Sequence, residues 1–92
     1  MTLNEAINHP DATLVDVRTK GEVAFESVPG AINIPLDEVP ARWEEFKDFS
    51  RPLVVFCRSG NRSGQALMFL AQKGITDGLN GGGAGDIMIH KL

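Results

Sequence analysis

Residues 53–73 read LVVFCRSGNRSGQALMFLAQK, and their chemical character changes twice along the stretch. Residues 53–56 are apolar and rich in valine, which is typical of a buried β-strand. Apolar residues then recur at helical spacing over about residues 62–73, and Gly74 follows as a helix stop. A strand joined to a helix by a short polar loop is the repeating unit of α/β proteins with a parallel sheet.

The rest of the chain repeats this alternation of helix and strand signals. Thr2 with Glu5, and Thr19 with Glu22, match capping boxes that begin short helices. The glycine-rich residues 81–85 and the short tail after them carry no clear helix signal. We predict a single α/β domain over residues 1–92, with a mostly parallel sheet of about four to five strands and helices on both faces. Its further elements are strands at residues 13–17, 31–34 and 75–80, a turn at residues 28–31 in which Gly30 takes a positive φ, and a helix capped by Asp37 that runs to about residue 47.

The composition is that of an ordinary globular chain, with 42% hydrophobic and 23% charged residues among 92. The net charge of −3 argues against a general nucleic-acid binder. Residues 49–76 nevertheless contain basic side chains and no acidic one. Such a segment suits a small anionic ligand better than a long polyanion, although chance clustering gives the same pattern in so short a chain.

The same composition limits the compartment and the cofactors. No stretch approaches the roughly 20 apolar residues of a membrane span, so we expect no membrane partner. The first residues, MTLNE, lack the regions of a signal peptide, which favours a cytoplasmic location, whereas a processed mature chain would be periplasmic. Cys57 is the single cysteine, which excludes an internal disulfide and a multi-cysteine zinc site. We expect no metal, no cofactor and a monomer.

The polar loop after residue 56 carries the chemistry. Cys57 sits where ligands bind in open α/β sheets, at the carboxyl end of a strand and before a helix N-terminus. Gly60 and Gly64 let the backbone curl so that several N–H groups point inward, and Arg58 and Arg62 add positive charge. A thiol in this position should have a lowered pKa. A buried and inert cysteine is the alternative, but an inert apolar position does not require so polar a loop.

Four segments, in the same order along the chain, resemble the signature segments of the rhodanese family of thiosulfate sulfurtransferases, in its small single-domain bacterial form. CRSGNRS at residues 57–63 is similar to the active-site loop of that family. LVDVR at residues 14–18 with Glu22, and VPGAINIPL at residues 28–36, are similar to two further signatures, and residues 73–82 resemble the segment after the active-site helix. The resemblance implies a single rhodanese-like domain over residues 1–92.

The resemblance also implies a reaction. Cys57 would take the outer sulfur of thiosulfate, or of a related small anionic donor, and pass it as a persulfide to cyanide, to a thiol or to a protein acceptor. Arg58 would bind thiosulfate, and Arg62 would hold the loop and lower the pKa of Cys57. Backbone N–H groups of residues 58–62 and the serine hydroxyls would stabilise the sulfur. The implied loop residues are Arg58, Ser59, Gly60, Asn61, Arg62 and Ser63.

Some positions are open or depart from the family pattern. Asp16 and Arg18 support the site in one interpretation. In the interpretation that we favour they are structural, with Asp16 accepting loop N–H bonds and Arg18 pairing with Glu22 or another acid. Ser27 stands where many members have histidine, and residues 83–88 lack a tryptophan that many members have, which removes an aromatic wall from the rim of the site.

Two rival functions also fit a reactive cysteine in an anion-binding loop. The first rival is a phosphatase or an arsenate reductase. Cysteine-dependent phosphatases resemble one another in having five residues between cysteine and arginine, whereas four separate Cys57 from Arg62. The shorter ring should be too tight for a tetrahedral phosphate. A persulfide carrier, or a module that binds a protein partner with little small-molecule turnover, is the second rival. His9 and His90 are expected at the surface, and Val39, Trp43 and Phe46 in the core.

Overall fold

The computed structural model describes residues 1–91, and its centre is a parallel sheet of four strands in the order β2-β1-β3-β4. This arrangement confirms the predicted α/β class and sheet. None of the helices within residues 1–91 is both long and apolar enough to cross a lipid bilayer. The strands are β1 (Thr13–Asp16), β2 (Ile32–Asn33), β3 (Leu53–Cys57) and β4 (Leu79–Gly83), and the helices are α1 (Leu3–Asn8), α2 (Lys20–Phe25), α3 (Val39–Arg42), α4 (Glu45–Asp48), α5 (Asn61–Gln72) and α6 (Ala84–His90).

The sheet is covered on both faces, as the sequence predicted. All of β3 is buried, and its side chains alternate between two apolar clusters because successive residues of a strand point to opposite faces. Val55 and Cys57 belong to the cluster that includes Val39 of α3, Phe46 of α4 and Leu70 of α5. Val54 and Phe56 belong to the cluster that includes Ile7 of α1 and Ile87 of α6.

Several local predictions are confirmed. Thr2 caps α1 and Thr19 caps α2, each as part of a complete capping box. Gly30 has φ +82° in its turn, and Gly74 has φ +89° after α5. The short connection from β3 to α5 brings the polar loop to the carboxyl edge of the sheet.

The predicted helix that begins at Asp37 is wrong in its start and in its continuity. Asp37 lies inside a 3₁₀ turn, Leu36–Glu38, and its side chain caps nothing. The helical stretch then divides into α3 and α4. Between them the chain keeps helical dihedral angles, but Phe46 N–H bonds to Trp43 O and Lys47 N–H to Glu44 O, which is the tighter 3₁₀ spacing.

The last strand lies further along the chain than predicted. β4 covers residues 79–83 rather than 75–80, so it includes three consecutive glycines. Gly81 is buried there, and a Cβ on it would lie 2.7 Å from Ile87 Cδ1 and 2.8 Å from Val54 Cγ1. Close packing between the sheet and α6 therefore requires glycine, and it overrides the usual weakness of glycine in strands.

The tail after β4 is helical, contrary to the prediction. The Asp86 carboxylate accepts the Gly83 N–H at 2.9 Å and so satisfies a donor at the start of α6. Ile87 is fully buried under the sheet, and Asn8 Nδ2 donates to His90 O at 2.8 Å, which ties the helix to α1. The Asp86 cap is local, but the contacts of Ile87 and His90 are made with distant parts of the chain, which local sequence signals do not reveal.

Candidate functional site

Cys57 is the last residue of β3 and is fully buried, and the chain turns sharply after it into α5. Gly60 is the N-cap of α5 and has φ +96°, a left-handed conformation that side chains disfavour. A glycine at this cap has no side chain to bond to the first helical N–H groups. The strand end and the helix start thus converge on the Cys57 thiol, as the sequence predicted.

Hydrogen bonds surround the sulfur. The Gly60 N–H donates to Cys57 Sγ at 3.0 Å, and Ser63 Oγ lies 3.5 Å from it. Burial raises the pKa of the thiol, but hydrogen bonds from the Ser63 hydroxyl and from the backbone N–H groups of Ser63, Ser59 and Gly60 outweigh it. The pKa of Cys57 is therefore lowered from its ordinary value of 9.0 to about 7. A large share of the thiol is ionised at neutral pH.

The two arginines of the loop differ in what they contact. Arg62 binds Glu22 through two hydrogen bonds, at 2.6 Å and 2.9 Å, and this contact lowers the pKa of Glu22 to about 2. Arg58 is exposed, and its side chain makes no hydrogen bond or ion pair within residues 1–91. One guanidinium thus fastens the loop to α2, while the other is free to bind an anion.

Asp16 and Arg18 form a buried ion pair at the end of β1, with 2.8 Å between Arg18 Nη2 and Asp16 Oδ2. Asp16 Oδ1 also accepts the Arg18 backbone N–H at 2.9 Å, and Arg18 Nη2 donates to Glu26 O. These contacts match the structural interpretation, with Asp16 as the acid that pairs with Arg18. Glu22, which the sequence offered as that partner, binds Arg62 instead.

Sequence reasoning did not select Asn80, although three groups of the site region bond to it. Asn80 Oδ1 accepts from Ser63 Oγ at 2.8 Å and from Gly82 N–H at 3.0 Å, and its Nδ2 donates to Gly60 O at 2.9 Å. It therefore holds both the hydroxyl beside the sulfur and the cap of α5. Asn80 lies on β4, and only the strand order, with β4 beside β3, could have revealed it.

The remaining candidates lie outside this network or at its surface. Ser59 and Asn61 are exposed members of the loop. His9 accepts the Asp11 N–H and His90 contacts Asn4, so neither histidine contacts Cys57. Within residues 1–91 no group of three histidine, cysteine or carboxylate side chains could hold a metal ion.

Comparisons with known proteins agree with this geometry. The profile of the Rhodanese-like domain family matches residues 2–83. A sulfurtransferase of Allochromatium vinosum is 44% identical over 71 residues, which are 76% of this chain and 64% of that protein, so this chain spans less than two thirds of that relative. The thiosulfate sulfurtransferase PspE of Escherichia coli is 40% identical over 79 residues, which are 85% of this chain and 76% of that protein.

Solved structures give the same result. A rhodanese with anions from E. coli is 39% identical, with a TM-score of 0.71 over 82% of this chain and 89% of that chain. A human single-domain sulfurtransferase is 33% identical, with a TM-score of 0.65 over 89% of this chain and 84% of that chain. Since the family profile covers most of the sequence, this chain belongs to the rhodanese family and has the fold and the relatives of a small sulfurtransferase enzyme.

Proposed function

We propose that this protein moves the sulfane sulfur of thiosulfate, or of a related anionic donor, to an acceptor through a persulfide on Cys57. The observation that carries the proposal is the Cys57 thiol itself, whose pKa of about 7 makes thiolate available at neutral pH inside a loop of N–H donors. The names of relatives support it, since one is a thiosulfate sulfurtransferase. In this scheme residues 1–92 form one catalytic domain.

In the first half-reaction the Cys57 thiolate attacks the outer sulfur of thiosulfate. The bond between the two sulfur atoms of thiosulfate breaks, the Cys57 Sγ–S bond forms, and sulfite leaves with the electron pair. Sulfite is a stable anion and the nucleophile is already ionised, so the step needs no general base. Arg58, exposed and unpaired within residues 1–91, supplies the charge that binds the dianion.

In the second half-reaction the acceptor attacks the outer sulfur of the persulfide. Cyanide takes this sulfur to become thiocyanate, or a thiolate takes it to become a persulfide. The Sγ–S bond breaks, and Cys57 is released as a thiolate. The low pKa of Cys57 makes its thiolate a good leaving group in this step, and it also makes the thiolate available as the nucleophile in the first step. A human relative is named thiosulfate:glutathione sulfurtransferase, which supports a thiol as an acceptor for this protein as well.

The loop residues have separate tasks in this scheme. Gly60, with Ser59, provides backbone N–H groups that stabilise negative charge on sulfur, and Ser63 adds a hydroxyl. Arg62 holds the loop through Glu22, and Asn61 is the first residue of the helix whose N-terminus faces the sulfur. Asp16 and Arg18 support the neighbouring strand end.

The test is the mass of the intact protein after treatment with thiosulfate, followed by cyanide. We expect a gain of one sulfur atom that cyanide removes, and no gain in Cys57→Ser. Thiosulfate-dependent turnover by a folded Cys57→Ser protein would contradict the assignment of the nucleophile. A folded wild-type protein that gains no sulfur would contradict the proposed function.

A further inference from the structure

A cavity of 310 Å³ opens beside the Cys57 loop at the carboxyl edge of the sheet. Arg58 of the loop forms one part of its wall, Phe25 and Glu26 at the end of α2 form another, and Ala84 and Gly85 at the start of α6 form a third. A Cβ on Gly85 would meet no atom within 4 Å, so the space above this helix start is open. The volume is at the lower end of the range for small-molecule sites.

Four charged side chains line this cavity, and two of them are already paired. Arg18 binds Asp16, and Glu22 binds Arg62. The side chains of Arg58 and Glu26 make no hydrogen bond or ion pair within residues 1–91. Among residues 1–91, Arg58 is therefore an unpaired cation of this cavity, and Glu26 is a carboxylate that attracts the Arg18 charge without forming an ion pair with it. The two groups come from different elements of the fold.

Phe25 adds an apolar surface that the fold does not use. Its side chain is 91% exposed, and no residue of α2 is buried. An exposed phenyl ring gains none of the hydrophobic stabilisation that burial of such a side chain gives. A ligand with a carbon chain between its charged groups would cover this ring.

We propose that this cavity is the acceptor site, and that it takes a small amino-acid thiol, with the carboxylate on Arg58, the ammonium group on Glu26 and the carbon atoms against Phe25. This inference rests on the proposed function. Sulfite has left before the acceptor enters, so Arg58 serves the two anions in succession. The acceptor thiolate attacks the outer persulfide sulfur, the S–S bond to Cys57 breaks, and Cys57 leaves as a thiolate.

The experiment compares two acceptors that differ in the ammonium group alone. Thiosulfate is the donor, and kcat/KM is measured with L-cysteine and with 3-mercaptopropionate for the wild type, Glu26→Gln and Glu44→Gln. We expect Glu26→Gln to lower kcat/KM for L-cysteine, relative to that for 3-mercaptopropionate, about fivefold, as for loss of one partly exposed ion pair. Glu44→Gln makes the same change at the residue before α4, which does not line the cavity, and should leave this ratio unchanged. Phe25→Ala should lower both values, because the ring contacts atoms that both acceptors share.

The outcomes separate the two proposals. An unchanged ratio in Glu26→Gln, with normal turnover, would overturn the acceptor site and leave the sulfur transfer intact. Wild-type protein without thiosulfate-dependent turnover, with these thiols and with cyanide, would overturn the proposed function and the acceptor site together.

Discussion

Two strand–loop–helix units meet at the carboxyl edge of the sheet. They differ in what their N–H groups at the helix N-terminus bind. Between β1 and α2, Thr19 Oγ1 accepts the Glu22 N–H at 3.2 Å, and Glu22 Oε1 accepts the Thr19 N–H at 3.0 Å. Between β3 and α5, Gly60 provides no side chain, and its N–H points at Cys57 Sγ. In the first unit the N–H donors bind side chains of the same helix start, whereas in the second the Gly60 N–H binds the reactive Cys57 sulfur.

The difference shows how one architecture serves both scaffold and site. A helix start with its own cap has few donors left for a ligand, and it contributes stability. A helix start without a cap gives up that stability and gains donors that act on an anion. The ion pair between Glu22 and Arg62 joins the units, so the capped helix holds the uncapped one in place.

The largest expected effect comes from adding a Cβ to the uncapped start. Gly60→Ala places an alanine at φ +96°, with its Cβ 3.3 Å from Gly82 Cα. We expect the loop to shift and thiosulfate–cyanide turnover to fall about 100-fold, as small displacements of a nucleophile do. Stability should fall by about 1–2 kcal/mol, measured by denaturant unfolding.

Gly21→Ala is the matched control in the capped unit. Its Cβ would lie 3.9 Å from Thr19 Oγ1, which is ordinary contact, and Gly21 lies within α2. We expect this change to stabilise the protein by about 0.5–1 kcal/mol and to leave turnover unchanged. Full turnover in Gly60→Ala would show that the left-handed cap does not position the sulfur.

A medium effect is expected from Asn80→Asp, which changes the acceptor of the Ser63 proton. The carboxylate still accepts the Ser63 proton, so the two consequences are the loss of the Nδ2 bond to Gly60 O and a negative charge added near the thiol. Each consequence raises the pKa of Cys57, together by about one unit. Because the thiolate reacts, alkylation by iodoacetamide should rise with pH through a midpoint near 7 in the wild type, and through about 8 in the variant.

The control for this prediction is Gln65→Glu, which adds the same charge at an exposed position of α5. Its alkylation midpoint should stay close to that of the wild type, since exposed charges are screened. An unshifted midpoint in Asn80→Asp would mean that Asn80 supports the backbone alone and does not affect the thiolate.

Both units could be predicted from the sequence, because each is a local pattern. The capping box of Thr19 and Glu22 spans three residues, and the apolar strand, polar loop and amphipathic helix around Cys57 are contiguous. Contacts between distant segments could not be predicted from the sequence, since Asn80 lies 17 residues from Ser63 and Glu22 lies 40 residues from Arg62. β4 was misplaced for a related reason, because tight packing around Gly81 selects glycine where strand preference opposes it.

The smallest expected effect tests whether the capped unit supports the uncapped one. Thr19→Ala removes the acceptor of the Glu22 N–H and a hydroxyl that donates to Glu22 Oε1, so we expect a loss of about 1 kcal/mol in the free energy of unfolding. Thr2→Ala removes the equivalent capping box of α1, which does not touch the site, and should cost the same. Only Thr19→Ala should also lower kcat/KM for thiosulfate, by about twofold, because Glu22 then holds Arg62 less firmly. Equal turnover in the two variants would show that the capped unit gives stability without positioning the loop, whereas a selective loss in Thr19→Ala would make the ion pair the link between scaffold and site.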